Sequence, residues 1–133
     1  MAGKVLVLDA DDTALVATRN ALEAAGYEVP ILRTPFLLFE ALHEEKPDVL
    51  LLEINVPQIR GDKILEVLNG FAAVEGVTVL FHSTLPEAEG LTVARAAGAF
   101  GYVPKGEGDA RLVARIEEAV LRANTERLRG QLT

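Results

Sequence analysis

Short apolar runs alternate along the chain with longer segments in which apolar residues recur every three or four positions. The short runs are typical of strands buried on both faces of a parallel sheet, and the longer segments of amphipathic helices. The predicted strands are Val5–Leu8, Tyr27–Leu32, Val49–Leu52, Val77–Phe81 and Ala99–Val103. The predicted helices are Thr13–Ala25, Pro35–Glu45, one marked by Ile64, Leu65 and Leu68 that ends near Gly70, Pro86–Ala97, and Asp109–Leu128 followed by a short tail. This alternation predicts an α/β fold, a mostly parallel sheet with helices on both faces.

Two of these elements carry more specific expectations. The second strand has few apolar residues and contains Pro30, which has no N–H to donate to a neighbouring strand. We therefore expect this strand near an edge of the sheet. In the helix that follows, Phe36, Phe39 and Leu42 recur at core-facing spacing. In the last helix the core-facing positions are predicted to be Leu112, Ile116, Val120 and Ala123.

Length, charge and cysteine content narrow the class of protein. A chain of 133 residues suits a single domain. The net charge of -7 disfavours binding to nucleic acid or to anionic membrane surfaces through this domain. The absence of cysteine excludes disulfides, thiolate zinc sites and a cysteine nucleophile. No apolar stretch is long enough to cross a bilayer, so we expect a cytoplasmic protein.

Polar side chains stand at the carboxyl ends of four predicted strands. Asp9 ends the first strand and Glu53 the third, Ser83 and Thr84 follow the fourth, and Lys105 follows the fifth. Ligands of open parallel sheets collect at this edge, where successive connections diverge to opposite faces. We therefore expect two carboxylates, a hydroxyl and an ammonium to converge there.

The same residues lie within segments that resemble the receiver domain of bacterial two-component response regulators. The segments are Lys4–Asp9, Pro47–Pro57 with Gly61, Ser83, and Gly98–Lys105. The resemblance implies a flavodoxin-like (βα)5 fold whose five parallel strands have the order 2-1-3-4-5. It also implies that a histidine kinase donates phosphate to an aspartate at the end of strand three, assisted by Mg²⁺, and that a hydroxyl and a lysine sense the phosphoryl group.

Two positions depart from the pattern that the resemblance implies. Glu53 stands at the phosphoacceptor position, and Ala10 stands where a direct carboxylate ligand to magnesium is expected. Mg²⁺ requires near-octahedral oxygen coordination, and Asp9, Asp11, Glu53 and Asn55 are the residual candidates to supply it. Because phosphoryl transfer depends on in-line geometry, we expect no useful phosphorylation of Glu53, weak or absent magnesium binding and no other cofactor.

The positions that sense phosphate in the family look intact. Ser83 and Lys105 match the hydroxyl and the lysine, and Tyr102 and Thr84 match switch or interaction positions. Our hypothesis is a permanent ion pair between Glu53 and Lys105, with Ser83 donating to the same carboxylate. Such a pair would hold the site in one state, so the domain is expected to bind proteins rather than to act as an enzyme.

Two enzymatic or phosphate-accepting alternatives stay open at this point. Residues 5–13 also resemble the first motif of haloacid-dehalogenase-type phosphatases, with Asp9 as nucleophile and Asp11 as acid/base. Against this alternative, no acidic strand end follows Lys105, and the chain has no room for a cap domain. The other alternative is an ordinary phosphorylatable regulator that tolerates Glu53 and recruits Asp11 for the metal.

A binding role requires a surface, and the resemblance points to the face of helix four, strand five and helix five. Here that face includes Leu91, Val93, Arg95 and Tyr102. The expected partners are proteins, such as a histidine kinase, an output domain or a second copy in a homodimer through this face. The last helix, about 30 Å long at 1.5 Å per residue, could project and present Arg122, Arg127 and Arg129.

Overall fold

A computed structural model describes residues 2–71 and 74–132 of the chain. The strands are β1 (Gly3–Leu8), β2 (Tyr27–Glu28), β3 (Ile31–Leu32), β4 (Val49–Leu52), β5 (Thr78–Ser83) and β6 (Gly101–Pro104). The helices are α1 (Asp12–Ala24), α2 (Leu38–Glu45), α3 (Gly61–Leu68), α4 (Glu87–Ala97) and α5 (Asp109–Leu132), and Pro35–Leu37 forms a 3₁₀ turn before α2. None of the helices in the described residues has both the length and the apolar character that a membrane span requires.

All strand pairs in the sheet are parallel, in the order β2-β1-β4-β5-β6, and β3 also pairs with β1. With β2 and β3 taken together as the second strand, this is the predicted order 2-1-3-4-5, and the predicted doubly wound α/β fold is confirmed. β4 occupies the centre, and all four of its residues are buried.

The sheet separates two hydrophobic cores because successive side chains of a strand point to opposite faces. Leu6 and Leu8 of β1 lie in the core covered by α2, α3 and α4, whereas Val5 and Val7 lie in the core covered by α1 and α5. The continuous apolar runs in the sequence are thus explained by strands that bury both faces. As predicted, the core-facing residues of the last helix are buried; they are Leu112, Ile116, Val120 and Ala123.

The predicted second strand is split, so that Tyr27–Glu28 and Ile31–Leu32 pair with β1 separately. Pro30 lies between the two pieces and has no N–H to donate, although its carbonyl still accepts from the Val7 amide at 3.0 Å. The expectation of an edge position is confirmed.

The prediction that Phe36 and Phe39 face the core is wrong, whereas the same prediction for Leu42 is confirmed. Phe36 is 73% exposed and Phe39 is 39% exposed, while Leu42 is buried together with Leu38. The reason is the 3₁₀ turn at Pro35–Leu37. A 3₁₀ turn has three residues per turn, so the α-helical spacing on which the prediction rested does not hold before α2 begins.

The last helix was predicted to end at Leu128 before a short tail, and this boundary is wrong by about one turn. α5 continues to Leu132. The side chain of Arg129 pairs with Glu126 one turn earlier, at 3.1 Å, which supports the added turn. Arg127 fastens this part of the helix to the body, because its guanidinium bonds the carboxylate of Asp48 and, at 3.2 Å, the carbonyl of Pro47.

Candidate functional site

Four polar residues converge at the carboxyl edge of the sheet, as predicted. Asp9 follows β1, Glu53 follows β4, Ser83 ends β5 and Lys105 follows β6. Because β1, β4, β5 and β6 are adjacent and parallel, their ends bring these side chains into one pocket. Asp9, Glu53 and Ser83 are buried, and the Lys105 side chain is only 12% exposed.

Lys105 lies between the two carboxylates. Its Nζ is 2.6 Å from Oδ2 of Asp9 and 2.7 Å from Oε1 of Glu53. The predicted ion pair between Glu53 and Lys105 is therefore present, and Asp9 joins it as a second partner that the prediction missed. The signal for that contact was available, since Asp9 and Glu53 end neighbouring strands.

The remaining oxygen of each carboxylate accepts from the backbone two residues further on. Oδ1 of Asp9 accepts from the Asp11 amide at 3.0 Å, and Oε2 of Glu53 accepts from the Asn55 amide at 2.9 Å. Both carboxylates are thus held by one ammonium and by one amide each. These contacts compensate for the cost of burying two negative charges.

The ionisation of the pair follows from this geometry. Burial acts to raise the pKa of Glu53. Three hydrogen-bond donors oppose this effect, and because together they outweigh burial, the pKa of Glu53 lies below its ordinary value; they are the Lys105 ammonium, the Ser83 hydroxyl and the Asn55 amide. Burial acts to lower the pKa of Lys105, but Asp9 and Glu53 outweigh it, so that pKa is raised. Glu53 and Lys105 are therefore both charged at neutral pH.

Ser83 takes part in the same network. Its hydroxyl oxygen accepts from the Asn55 amide group at 3.4 Å, and the hydroxyl contributes to the lowered pKa of Glu53, which agrees with the predicted interaction. Its backbone carbonyl accepts from the Lys105 amide at 2.7 Å. Thr84, the next residue, is exposed.

Tyr102 points inward and is not part of the exposed surface of the face predicted for binding, while its role as a switch position stays a prediction. Its single hydroxyl proton is shared between two carbonyl oxygens, that of Ser83 at 2.8 Å and that of Leu85 at 2.6 Å. The residue is 2% exposed. Burial and then the nearby charges of Glu53, Glu89 and Glu87 raise the pKa of Tyr102 to about 12. Its two hydrogen bonds connect Tyr102 to the chain on either side of Thr84.

Three of the candidate magnesium ligands are engaged in contacts within the chain. The Lys105 ammonium lies between Asp9 and Glu53, where a cation would have to lie to use both carboxylates. Asp11 is engaged elsewhere, because its Oδ1 accepts from the amides of Thr13 and Ala14 and caps α1. Residue 10 is an alanine and supplies no donor side chain. Across residues 2–71 and 74–132, no three His, Cys, Asp or Glu side chains are grouped so that they could hold a metal ion.

Three further residues, two glycines and a histidine, pack close to the residues of the site. The backbone of Gly61 passes so close to Glu53 that a Cβ there would lie 2.2 Å from the Glu53 carbonyl oxygen. A Cβ at Gly90 would lie 2.2 Å from Cε2 of Tyr102. His82 is buried with its Nδ1 2.7 Å from the Val103 carbonyl oxygen, so Nδ1 carries the proton, and burial lowers the pKa of the ring. Spacing along the chain gave no sign of the two glycine contacts with Glu53 and Tyr102.

Comparison with known proteins gives a consistent result. The family model for the response regulator receiver domain matches residues 5–117. The chain is 32% identical over 118 residues to the transcriptional regulatory protein KdpE of Mycobacterium tuberculosis, covering 89% of this chain and 51% of KdpE. It is 31% identical over 102 residues to protein RcaC of Microchaete diplosiphon, covering 77% of this chain and 16% of RcaC.

Among solved structures, the chain is similar to a receiver domain protein from Methanospirillum hungatei. The TM-score is 0.80 at 25% identity, covering 92% of this chain and 97% of that one. The chain thus matches nearly the whole of a solved receiver domain but spans only about half of KdpE and less of RcaC.

Proposed function

The chain belongs to the response regulator receiver domain family, and we propose that it is a member in which a built-in ion pair replaces phosphorylation. In this proposal the domain neither accepts phosphate nor binds Mg²⁺ usefully, and it acts by binding other proteins. The position of the Lys105 ammonium between Asp9 and Glu53 carries the proposal.

The ion pair supports the proposal because it uses the groups that phosphate transfer would need. A metal ion or a phosphoryl group at Glu53 would have to displace Lys105 from both carboxylates, at 2.6 and 2.7 Å. Either event breaks the buried ion pair, and breaking a comparable buried pair costs several kcal/mol, roughly 3–5. Ala10 has no side-chain oxygen that could bind a metal ion and so offset this cost.

The inward position of Tyr102 supports a single fixed state. Its hydroxyl holds two backbone carbonyls, at Ser83 and Leu85, on either side of Thr84. The segment that follows β5 is thereby fixed relative to Glu53 and Lys105. We infer that the domain presents one constant surface to its partners.

The phosphatase alternative is not proposed. It requires the Asp11 carboxylate to act as acid or base next to Asp9, but that carboxylate accepts hydrogen bonds from the first amides of α1. Asp9 itself is paired with Lys105.

The proposal is tested by adding beryllofluoride or acetyl phosphate together with Mg²⁺. Intact mass reports phosphate transfer, and NMR shifts around Ser83 and Tyr102 report beryllofluoride. We expect no response from the wild-type chain. The matched variant carries Ala10→Asp and Glu53→Asp, which restore the acidic residues of the family, and we expect it to respond. A stoichiometric mass increase in the wild-type chain, removed by Glu53→Gln, would contradict the proposal.

A Mg²⁺ titration tests the metal part separately. We expect no saturable NMR shifts at Asp9, Glu53 or Lys105 in the wild-type chain and saturable shifts in the double variant. As part of the same proposal, we place the domain in the cytoplasm, with a histidine kinase, an output domain or another signalling protein as its partner. KdpE and RcaC are longer than this chain, so their partners are not carried over to it.

A further inference from the structure

An unusually apolar surface lies between α2 and α3, away from the polar pocket. Eleven large apolar side chains are exposed in the described part of the chain, and six of them come from the segments 36–39 and 59–71, which form or adjoin the groove between α2 and α3. They are Phe36, Leu37, Phe39, Ile59, Val67 and Phe71, and we call this set the α2/α3 patch. Scattered apolar side chains on a surface need no explanation, but a contiguous group of this kind marks an interaction site.

Four of the six side chains form one continuous surface, because three line the same groove and Phe71 contacts Phe39, while Phe36 and Leu37 directly precede the groove residue Leu38 in the chain. The rings of Phe39 and Phe71 meet edge to face, with 4.8 Å between their centroids. Between α2 and α3 lies a groove of about 150 Å³. Its lining consists of apolar side chains only: Pro35, Leu38, Phe39, Ile59, Ile64, Val67 and Leu68.

The patch contains both a protruding group and a recess for it. Phe36, which is next to Pro35 in the lining of the groove, is 73% exposed. An apolar cavity of about 150 Å³ is large enough to take a benzene-sized ring. In a two-fold symmetric dimer the same surface faces itself, so a ring on one copy meets a recess on the other and the reverse contact forms as well. From this complementarity we propose that two copies of this chain dimerise through the α2/α3 patch, each inserting Phe36 into the groove of its partner.

The exposed area is sufficient for such a dimer. Added together, the exposed fractions of the six residues equal the surface of about three fully exposed large side chains. At roughly 200 Å² for each large side chain, the patch offers on the order of 600 Å² per copy. Two copies would bury about 1,200 Å², which is the lower end of the range for stable interfaces.

Charged side chains of α2 and α3 favour one direction of the symmetry axis. Glu40 and Glu44 lie one turn apart on α2, and neither has an ion-pair partner among the residues described. Lys63 lies one turn before Val67 on the same side of α3, with a side chain 60% exposed that pairs with Glu66 at 3.4 Å. A two-fold axis along the groove places α2 of one copy against α3 of the other, so the acidic helix α2 faces the helix that carries Lys63. An axis across the groove would bring four unpaired carboxylates together, which is unfavourable.

The face expected from the sequence is less suitable. Tyr102 is buried there, and Leu91 and Val93 are partly buried against the core. On this face an ion pair between Arg111 and Glu87 joins the first turns of α5 and α4. Self-association through the α2/α3 patch is therefore distinct from association through the α4, β6 and α5 face.

Sedimentation velocity from micromolar to millimolar concentration tests the proposal. We expect a concentration-dependent dimer of the wild-type chain, and we expect Val67→Glu to raise its dissociation constant at least about tenfold, the effect of losing one well-packed contact. Leu121→Glu is the matched control, because Leu121 is similarly exposed, at 67%, but lies on α5. It should leave the dimer unchanged. Circular dichroism checks that each variant is folded. If Val67→Glu does not fold, Phe36→Ser takes its place.

Disulfide trapping tests the reciprocal contact, since the chain has no cysteine of its own. A Phe36→Cys copy mixed with a Val67→Cys copy should form the mixed disulfide faster than either copy forms a disulfide with itself. A wild-type chain that stays monomeric at all concentrations, a dimer that survives both Val67→Glu and Phe36→Ser, or one lost with Leu121→Glu would overturn the proposal. Preferential disulfides between identical positions would overturn the reciprocal insertion.

Discussion

Gly90 and Tyr102 share one space: the tyrosine ring lies where a side chain at position 90 would be. A Cβ on Gly90 would come within 2.2 Å of Cε2 and 2.4 Å of Cζ of the ring. α4 thus approaches β6 closely enough for the ring to lie beneath it, and the hydroxyl then reaches the carbonyls of Ser83 and Leu85. The inward state of Tyr102 depends on the missing side chain of residue 90.

Gly90→Ala is expected to destabilise the protein. The added methyl group cannot fit while the ring stays in place, and overpacking of a filled core costs about 1–3 kcal/mol. Urea unfolding should show this loss, and NMR should show the Tyr102 ring displaced. Gly130→Ala on α5 is the control, since a Cβ there would have nothing within 4 Å and alanine favours the helix. Equal stability of both variants would mean that the Tyr102 ring can move aside with no loss in the free energy of unfolding.

Tyr102 is expected to ionise far above the ordinary range for tyrosine. Burial and the neighbouring carboxylates raise its pKa to about 12 from an ordinary value of 10. A folded-state pKa above the unfolded value means that Tyr102 contributes stability below pH 10 and loses it as the pH rises towards 12. Ultraviolet titration of the phenolate should show this late step, and Tyr102→Phe should remove it. Burial also raises the pKa of Tyr27, the only other tyrosine, so Tyr27→Phe should leave the step near pH 12 in place and remove the other one.

Lys105→Met is expected to reverse the response of stability to acid. In the wild-type chain the pKa of Glu53 is lowered, so its contribution is present above pH 4.5 and is lost as the pH falls through the folded-state value. Without Lys105, Asp9 and Glu53 are buried together without a cation. The loss should be about 3–5 kcal/mol at neutral pH and should shrink as acid protonates one carboxylate.

Urea unfolding at several pH values measures the effect of Lys105→Met. Lys63→Met is the control, because Lys63 is exposed and pairs only with Glu66 at 3.4 Å. It should change stability by less than about 1 kcal/mol. A Lys105→Met variant that keeps the wild-type acid profile would show that Lys105 does not hold the two carboxylates.

Arg127→Ala is expected to loosen the last turns of α5. Arg127 bonds Asp48 and Pro47, and Asp48 also accepts from the Lys4 amide at 2.8 Å, so one guanidinium connects the helix to two strands. Arg127 is partly exposed, so we expect a modest loss of about 1 kcal/mol. Hydrogen exchange should speed up at residues 124–132. Arg129→Ala, which removes only an exposed pair with Glu126, should leave exchange nearly unchanged.

The alternating pattern was sufficient for a parallel sheet and for the four strand-end residues, because parallel strands bury both faces and end at the same edge of the sheet. The strand order came instead from the resemblance to receiver domains. Glu53 and Lys105 could be paired in advance since two strand ends and opposite charges left few alternatives. Asp9 was missed as the second partner of Lys105 because the two family resemblances assign it to a magnesium ion or to a nucleophile, and neither assigns it to an ion pair.

Other features depend on distances that sequence spacing does not encode. The 3₁₀ turn at Pro35–Leu37 changes which side of the chain faces the core, so Phe36 and Phe39 were assigned to the wrong environment. The contact between Arg127 and Asp48 joins residues 79 positions apart, and the fit of Gly90 against Tyr102 depends on how closely α4 approaches the sheet.

The ammonium between Asp9 and Glu53 arrives with the polypeptide itself, whereas a phosphoryl group must be delivered by a donor and is later hydrolysed. An ion pair of this kind is present whenever the chain is folded. Under the proposed function, the output of such a domain would follow how much of the protein is made, how fast it is degraded, and which binding partners compete for it.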